Sequence, residues 1–201
     1  MLDVGAHEGL WTQDVLELVP DAKVIACEPQ DDLRAKIEQR FAGDRRVTIE
    51  QRALTDTEGE QTFHLLGASV NGSLRAPQPG MEDLYGRGWQ TERTVTVPTT
   101  TVDVLTAGTE VALLKIDVQG AEREVLTGAR ETLTRTAAVM LEVTFISHYD
   151  GDATFADLHA QMTEAGFLLT GISEPARSPM GAMLTSDAAY ISRHRLDPHF
   201  R

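Results

Sequence analysis

The sequence lacks the features that stabilise or anchor a protein by special means. Its 201 residues include one cysteine, Cys27, so an intramolecular disulfide is excluded. No apolar run approaches the roughly 20 residues that a membrane-spanning helix needs. The N-terminus also lacks the basic region and apolar stretch of a signal peptide. We therefore expect one globular domain over residues 1–201, located in the cytoplasm and without a membrane span.

Positive charge is also scarce. Lys and Arg together number 18 against 31 Asp and Glu, which gives a formal net charge of -13. A field of this sign repels phosphate backbones, so nucleic acid is not expected as a partner. The one basic cluster, at 193–195 with Arg201 beyond it, is interpreted as part of a solvated tail over 194–201.

The sequence does contain a regular alternation of short β-branched runs with stretches of helical periodicity. This alternation predicts an α/β fold: a mostly parallel seven-stranded sheet, helices on both of its faces, and a last strand that is antiparallel. The predicted strands of this sheet are 1–4, 23–27, 46–54, 111–116, 137–143, 167–172 and 187–192. The predicted helices are 10–19, 31–41, a short one from Thr101, 121–133 and 155–165.

One stretch of the chain departs from this alternation. Two further predicted strands, 61–66 and 94–97, flank a polar, glycine-rich segment at 67–90. Connections of this length inside compact domains tend to be lids, binding loops or disordered segments. We expect the 67–90 segment to be a loop beside a binding site.

The segment LDVGAHEG at residues 2–9 predicts a ligand-binding loop after the first strand. Gly5 and Gly9 have no Cβ and let a ligand approach the backbone closely, and the helix that follows offers free N–H groups. A plain strand-to-helix turn without a ligand is the alternative. The Gly-x-Gly-x-x-Gly spacing of dinucleotide-binding loops is absent, which disfavours NAD or FAD.

Carboxylates follow two of the predicted strands. Glu28, followed by Pro29, ends the second strand and could accept hydrogen bonds from vicinal ribose hydroxyls; a solvated acid is the alternative. Asp117 ends the strand at 111–116 and could contact a cofactor, hold a substrate or ligate a metal. Glu122 begins the next helix, where its charge suits the helix dipole or serves a functional role.

Together these segments resemble the FkbM family of S-adenosylmethionine (SAM)-dependent methyltransferases. The matching stretches are DVGAHEG at 3–9, EP at 28–29, ALTDTEGE at 53–60 followed by Phe63, NGSL at 71–74 and LLKIDVQGAEREVLTGA at 113–129. The last of these is specific to the family, whereas the glycine loop is shared across a superfamily. Similarity runs from Leu2 to about Glu142 and continues more weakly through DAAYISR at 187–193.

The resemblance implies a Rossmann-like class I methyltransferase fold with SAM as the cofactor. It implies that Asp3 faces the methionyl group, that Glu28 holds the ribose and that residues 52–56 border the adenine. The implied cofactor-binding residues are Asp3, Gly5, Ala6, His7, Gly9, Glu28, Pro29, Ala53 and Asp117.

The chain departs from the family pattern at two positions in these motifs. His7 stands where the family usually has Asn, and Gln119 stands where it usually has Glu. If that Glu contributes charge to catalysis or to a metal, Gln119 cannot supply it. The family also usually carries sequence ahead of the first strand.

The implied reaction is O-methylation of a hydroxyl on a small molecule, natural product or sugar. A hydroxyl needs a base to remove its proton, and the candidates are His148, just past the fifth parallel strand, with Glu142 and Asp117. His148 as a plain loop residue is the alternative. Tyr85 and Trp89 of the 67–90 segment, our candidate acceptor lid, either pack against the acceptor or anchor the loop.

A metal is a secondary possibility in this interpretation. Asp117 and Glu142 could hold a divalent cation through oxygen ligands, although no metal site is indicated, and the absence of a His/Cys ligand pattern argues against zinc.

Two rival functions stay open, a nucleotide-binding oxidoreductase and a non-catalytic SAM-binding protein. The sequence leaves the oligomeric state open as well.

Overall fold

The main sheet is mostly parallel, as the sequence predicts. The computed structural model describes residues 1–178 and 180–195, apart from the side chains of Leu84 and Arg87. The strands are β1 (Leu2–Val4), β2 (Val24–Cys27), β3 (Val47–Glu50), β4 (Ala53–Leu54), β5 (Gly59–Leu66), β6 (Thr91–Thr100), β7 (Val111–Ile116), β8 (Thr136–Thr144), β9 (Phe167–Ile172) and β10 (Thr185–Ser192). The helices are α1 (Leu10–Leu18), α2 (Asp31–Arg40), α3 (Met81–Tyr85), α4 (Val102–Thr106), α5 (Glu122–Thr127), α6 (Arg130–Leu133) and α7 (Phe155–Glu164).

The order of the seven strands is β3-β2-β1-β7-β8-β10-β9. Strands β1, β2, β3, β7 and β8 are parallel, whereas β10 runs antiparallel to both β8 and β9. The chain thus extends the sheet in one direction from β1 to β3 and then in the other from β7. Such a reversal leaves a crevice at the carboxyl ends of the two central strands.

Helices cover both faces of the sheet. Side chains alternate along each strand, so the strands present apolar side chains on both faces, and each face is buried by helices. On one face, Val4 and Ile116 pack with Val125 of α5 and Leu158 of α7 in the largest buried apolar cluster. On the other face, apolar residues of β2 pack with residues of α1 and α2 in two smaller clusters. Within the described ranges, no helix has the length and the apolar character that crossing a bilayer requires.

The predicted third strand at 46–54 is wrong in its extent. Strand β3 ends at Glu50, whose carboxylate accepts hydrogen bonds from the backbone N–H of Arg52 (2.9 Å) and from the Arg52 guanidinium. This contact turns the chain out of the main sheet. Residues 53–54 instead form β4, which pairs with β6 in a separate three-stranded sheet of order β4-β6-β5.

The predicted helix at 121–133 is also wrong, because it is two helices with a break at Gly128. A Cβ at this glycine would lie 2.1 Å from the carbonyl oxygen of Thr55, so the backbones touch there. The carboxylate of Asp103 accepts hydrogen bonds from the backbone N–H groups of Glu131 and Thr132 at the start of α6. Tertiary contacts therefore end one helix and begin the next.

The 67–90 segment is more regular than the predicted loop. It contains α3 and two short 3₁₀ turns, Ser69–Asn71 and Arg87–Trp89. The strands on either side, β5 and β6, are longer than predicted and pair antiparallel. At the C-terminal end, Arg193–Arg195 form a 3₁₀ turn, and the rest of the predicted tail, 196–201, lies outside the described residues.

Candidate cofactor and acceptor site

Four parallel strands are in register near their carboxyl ends, and this places the candidate site residues side by side. The last row of paired residues consists of Cys27, Val4, Ile116 and Leu141. The residues that directly follow this row are Glu28, Gly5, Asp117 and Glu142. Adjacent strands lie about 4.8 Å apart, so the backbones at Glu28 and Glu142 are separated by about 14 Å, or three strand spacings.

A cavity of about 570 Å³ lies at this edge of the sheet. Its wall includes all four residues that follow the paired row, together with residues 69–72 and 52–54. Tyr85, Trp89, His148 and Tyr149 line it as well. The volume is within the range of small-molecule binding sites, which is about 300–1,000 Å³. The predicted binding crevice and the predicted flanking loop therefore meet in one place.

Gly5 allows the loops after β1 and β7 to touch. Its φ of 80° lies in the left-handed region, and a Cβ there would lie 1.8 Å from the carbonyl oxygen of Asp117. The N–H groups of Gly5 and Ala6 both donate to the carbonyl of Cys27. The conformational freedom of Gly5 thus serves contact between two loops at the floor of the cavity.

Two other residues of the glycine loop lie behind the cavity wall. Gly9 starts α1 with a φ of 77°, and a Cβ there would lie 2.9 Å from the ring of Phe41. Ala6 is buried against Ala26 and Ile37. Both pack between the loop and α2, and their contact with a cofactor stays a prediction.

Asp3 is buried behind the loop beside a lysine. It accepts a hydrogen bond from Thr12 Oγ1 at 2.7 Å, and its Oδ1 forms an ion pair with Lys115 Nζ at 3.1 Å. Lys115 also donates to the carbonyl of Gly5 at 2.7 Å and lies 3.5 Å from Asp117. Burial lowers the pKa of Lys115, but the negative charges of Asp3 and Asp117 together raise it by more, so the net pKa lies above its usual value. Asp3 therefore stabilises the glycine loop through Lys115, which binds the carbonyl of Gly5.

Glu28 lies at the cavity wall with both carboxylate oxygens fixed. Oε2 accepts from the backbone N–H of His7 at 3.0 Å and Oε1 from that of Gln30 at 2.9 Å. Burial raises the pKa of Glu28 to about 7. Each oxygen keeps a further lone pair for a ligand. Pro29 and Ala53 also line the cavity, near the strand ends where the ribose and adenine were expected.

His7 joins the glycine loop to the 67–90 segment. Its Nε2 lies 3.0 Å from Ser69 Oγ, and its φ of 51° lies in the left-handed region. Burial is the largest influence on its pKa, which lies below the usual value. The side chain lines the cavity, and its contact with a cofactor stays a prediction.

Asp117 and Glu142 are joined by an amide. Nε2 of Gln119 donates to Asp117 Oδ1 at 2.8 Å and to Glu142 Oε2 at 2.7 Å, while Oε1 accepts from the hydroxyl of Tyr149. Burial first, and then the charge of Asp117, raises the pKa of Glu142 well above its usual value. The sequence marks Gln119 only as a departure from a family pattern, so its bridging role was not predicted.

Glu122 stabilises the loop that carries this network. Its Oε1 accepts from the N–H groups of Val118 and Gly120, both at 3.1 Å. Burial raises the pKa of Glu122 to about 7. Of the two roles open for Glu122, the contacts support the structural one at the helix N-terminus.

Aromatic rings form the wall beside Glu142. Trp89 lies 5.4 Å from the rings of Tyr85, His148 and Tyr149, measured between centroids. His148 Nε2 lies 3.1 Å from the Tyr85 hydroxyl, and burial lowers the pKa of His148. Asp152 accepts from the N–H groups of His148 and Tyr149, which holds this turn in place. His148 is thus a buried residue of the cavity wall.

A metal centre is not evident in the part of the chain that the structure describes. Among residues 1–178 and 180–195, no group of three or more His, Cys, Asp or Glu side chains could hold an ion. The two carboxylates proposed as cation ligands, Asp117 and Glu142, are both occupied by the amide of Gln119.

The sheet order β3-β2-β1-β7-β8-β10-β9 with β10 antiparallel, together with the similarity to solved methyltransferases reported below, identifies the class I methyltransferase fold. The sequence profile of the Methyltransferase FkbM domain matches residues 3–169. The chain therefore belongs to the FkbM methyltransferase family, and the resemblance seen in its motifs is confirmed.

The chain is also similar to individual methyltransferases. It is 28% identical over 162 residues to the 2-O-methyltransferase NoeI of Sinorhizobium fredii, which covers 75% of this chain and 65% of NoeI. Its fold is similar to that of methyltransferase FkbM from Methylobacillus flagellatus KT, with a TM-score of 0.58, 14% identity and coverage of 95% of this chain and 42% of that one.

A second structural neighbour is magnesium protoporphyrin IX methyltransferase (ChlM) from Synechocystis PCC 6803 with bound SAM. The TM-score is 0.51 at 10% identity, and the match covers 95% of this chain and 68% of that one. At these identities the two structural matches establish the fold. The chain spans less than two thirds of the length of NoeI and of the Methylobacillus protein.

Proposed function

We propose that this protein transfers a methyl group from SAM to a hydroxyl of a small molecule or sugar. The observation that carries the proposal is the row of Glu28, Gly5, Asp117 and Glu142 along one cavity edge. The similarity to NoeI, a 2-O-methyltransferase, favours oxygen as the methyl acceptor.

The residues at the β2 end of the cavity fit the adenosyl half of SAM. Glu28 has lone pairs left for two ribose hydroxyls, and Ala53 with Arg52 and Leu54 offers a partly apolar wall for the adenine. Glu28, Asp117 and Glu142 also give the cavity a carboxylate-rich wall, which suits a cofactor that carries a sulfonium and an ammonium.

SAM supplies an electrophilic methyl group, so the protein mainly aligns the acceptor and removes its proton. We assign the base to His148, because burial lowers its pKa and keeps the ring neutral near pH 7. Glu142, whose pKa burial raises well above its usual value, lies on the same wall and is a second group placed to hydrogen-bond the acceptor oxygen. Tyr85 and Trp89 present ring faces beside these groups.

The proposal is tested with two variants that should fail at different steps. Titration calorimetry with S-adenosylhomocysteine (SAH) should show binding to the wild type. We expect Glu28→Ala to weaken it at least about tenfold, the cost of losing hydrogen bonds to a charged group. His148→Ala should keep the SAH affinity but lower methyl transfer to a panel of hydroxyl compounds by about 10² or more.

Circular dichroism melting of both variants controls for folding. Equal SAH affinity in Glu28→Ala would remove the ribose assignment, and full activity in His148→Ala would remove the base. A wild type that binds neither SAM nor SAH would remove the proposed function itself.

A further inference from the structure

The amide of Gln119 occupies the point between two carboxylates where a cation would otherwise sit. Both of its N–H bonds are used, one toward Asp117 Oδ1 (2.8 Å) and one toward Glu142 Oε2 (2.7 Å). Oxygen-ligated divalent cations sit about 2.0–2.6 Å from their ligands. A cation and this amide therefore compete for the same space and the same lone pairs.

The orientation of the amide is fixed by the groups around it. Its Oε1 lies 3.1 Å from the Tyr149 hydroxyl, which also lies 3.0 Å from the carbonyl oxygen of Asn71. A flipped amide would point its oxygen, which can only accept, at both carboxylates. The backbone of Gln119 has a φ of 57°, and its carbonyl accepts from Ser73 Oγ at 2.6 Å. Gly120, next in the chain, packs beneath the Tyr149 ring.

The charges around this cluster explain why a bridge is needed. Asp117 has Lys115 within 3.5 Å, whereas Glu142 faces Asp117, the buried Glu122 and, across the sheet register, Asp187 of β10. Two carboxylates brought this close repel unless a donor lies between them. The Gln119 amide supplies that donor without adding a charge.

We propose that Gln119 is a positioning residue that holds Asp117 and Glu142 together with its amide and keeps divalent metal ions out of the cavity. The inference builds on the proposed function, since it makes methyl transfer at this site independent of a metal. Replacement of the amide by a carboxylate would put three oxygen-donor side chains around one point and create a cation site.

The test uses Mn²⁺ as the probe, with free Mn²⁺ followed by electron paramagnetic resonance. The wild type should show no saturable site below about 1 mM Mn²⁺. Gln119→Glu should gain one site with a Kd on the order of 10⁻⁴ to 10⁻³ M, and adding Asp117→Asn should abolish it. Gln61→Glu, which makes the same charge change on β5 away from the cavity, should behave as the wild type does.

A second variant guards against misfolding of the first. Gln119→Gly suits the φ of 57° and leaves the two carboxylates without a bridge, so it should also gain one saturable Mn²⁺ site, with a Kd no weaker than about 10⁻³ M. Saturable Mn²⁺ binding by the wild type that Asp117→Asn removes would overturn the proposal, as would two folded Gln119 variants that bind no Mn²⁺.

SAH titration of the same samples separates this proposal from the function it builds on. Wild type that binds SAH and also binds Mn²⁺ at Asp117 would refute the role of Gln119 alone. Wild type that fails to bind SAH would refute the cofactor assignment, while the Mn²⁺ results would still report on the amide bridge.

Discussion

At the scale of single residues, Gly5 is the described glycine at which an added Cβ would come nearest to another backbone, that of Asp117. A Cβ at Gly5 would meet the Asp117 carbonyl oxygen at 1.8 Å, whereas a Cβ at Gly43, with a similar φ of 81°, would meet nothing within 4 Å. Alanine substitutions at Gly43 and Gly5 therefore measure two free energies separately: the strain of a left-handed alanine alone, and that strain together with a steric clash.

We predict that Gly43→Ala lowers the free energy of unfolding by about 1 kcal/mol, the strain of a left-handed alanine. Gly5→Ala should cost at least about 2 kcal/mol more, because the two loops must also move apart. Urea unfolding of both variants measures the difference. Equal losses would show that the loops after β1 and β7 separate easily.

Glu122 makes the stability of the protein depend on pH. Its pKa is raised from 4.5 to about 7 by burial, so the folded state binds a proton more tightly than the unfolded state. The free energy of unfolding then falls as pH rises from about 4.5 to about 7, and the loss persists above that.

We predict that Glu122→Gln, which keeps an acceptor oxygen for Val118 and Gly120, removes part of this loss. Relative to the wild type, it should gain on the order of 2 kcal/mol between pH 5 and pH 8. Urea unfolding at both pH values measures this, and the exposed Glu60→Gln is the control. A pH dependence as steep as that of the wild type would contradict the prediction.

Residue identities at the cavity were only partly predictable. Glu28, Asp117 and Glu142 could be found because the first two directly follow a strand and the third lies near the end of one, and strand ends are visible in the sequence. The bridging role of Gln119 gives no such signal, since it depends on a left-handed φ and on Tyr149, which is 30 residues away. The burial of Asp3 likewise follows from Lys115 on a neighbouring strand.

At the scale of elements, the 67–90 segment is tied to the strand-end loops by side chains of its own. Ser73 Oγ donates to the carbonyl of Gln119 at 2.6 Å, and the Ser73 backbone pairs with His64 in both directions. His7 and Ser69 make a second link at the other side. The segment is therefore a fixed wall of the cavity in this structure.

We predict that Ser73→Ala loosens this wall. Loss of one buried hydrogen bond should speed amide hydrogen exchange in residues 68–76 by about tenfold, with little change in α5. Mass spectrometry of exchanged peptides measures it. Thr134→Ala, which removes a hydroxyl that donates to the carbonyl of Glu131, is the control; unaltered exchange in Ser73→Ala would show that the other contacts suffice.

Helices and strands could be predicted from the sequence where the local hydrophobic periodicity determines them. They could not be predicted where contacts with residues distant in the sequence determine their ends. The seven-stranded sheet and α1, α2 and α7 follow from local patterns. The end of β3 depends on the turn that Glu50 makes with Arg52, and the break at Gly128 depends on Thr55, which lies more than 70 residues earlier. Neither cause is visible in a local window of sequence.

At the scale of the whole molecule, ligand binding should appear as a shift of the melting temperature. SAH at about 100 times its Kd should stabilise the fold by about 2.7 kcal/mol, or roughly 5–10 °C for a domain of this size. NAD or NADP at the same concentration should shift it by less than about 1 °C. Differential scanning fluorimetry makes the comparison directly.

A larger shift with NAD than with SAH would favour the oxidoreductase interpretation. A clear shift with SAH, followed by no methyl transfer to any compound of a broad hydroxyl panel, would favour a non-catalytic SAM-binding protein. The net charge of -13 leads us to expect no retardation of DNA or RNA in gel-shift experiments.

The row of paired residues that directly precedes Glu28, Gly5, Asp117 and Glu142 also limits how the sequence can vary. Insertion or deletion of one residue inside β7 would turn Asp117 to the opposite face of the sheet, because side chains alternate along a strand. The number of residues within each central strand is therefore under as much constraint as their identity. Changes of length are tolerable only in the connections between strands.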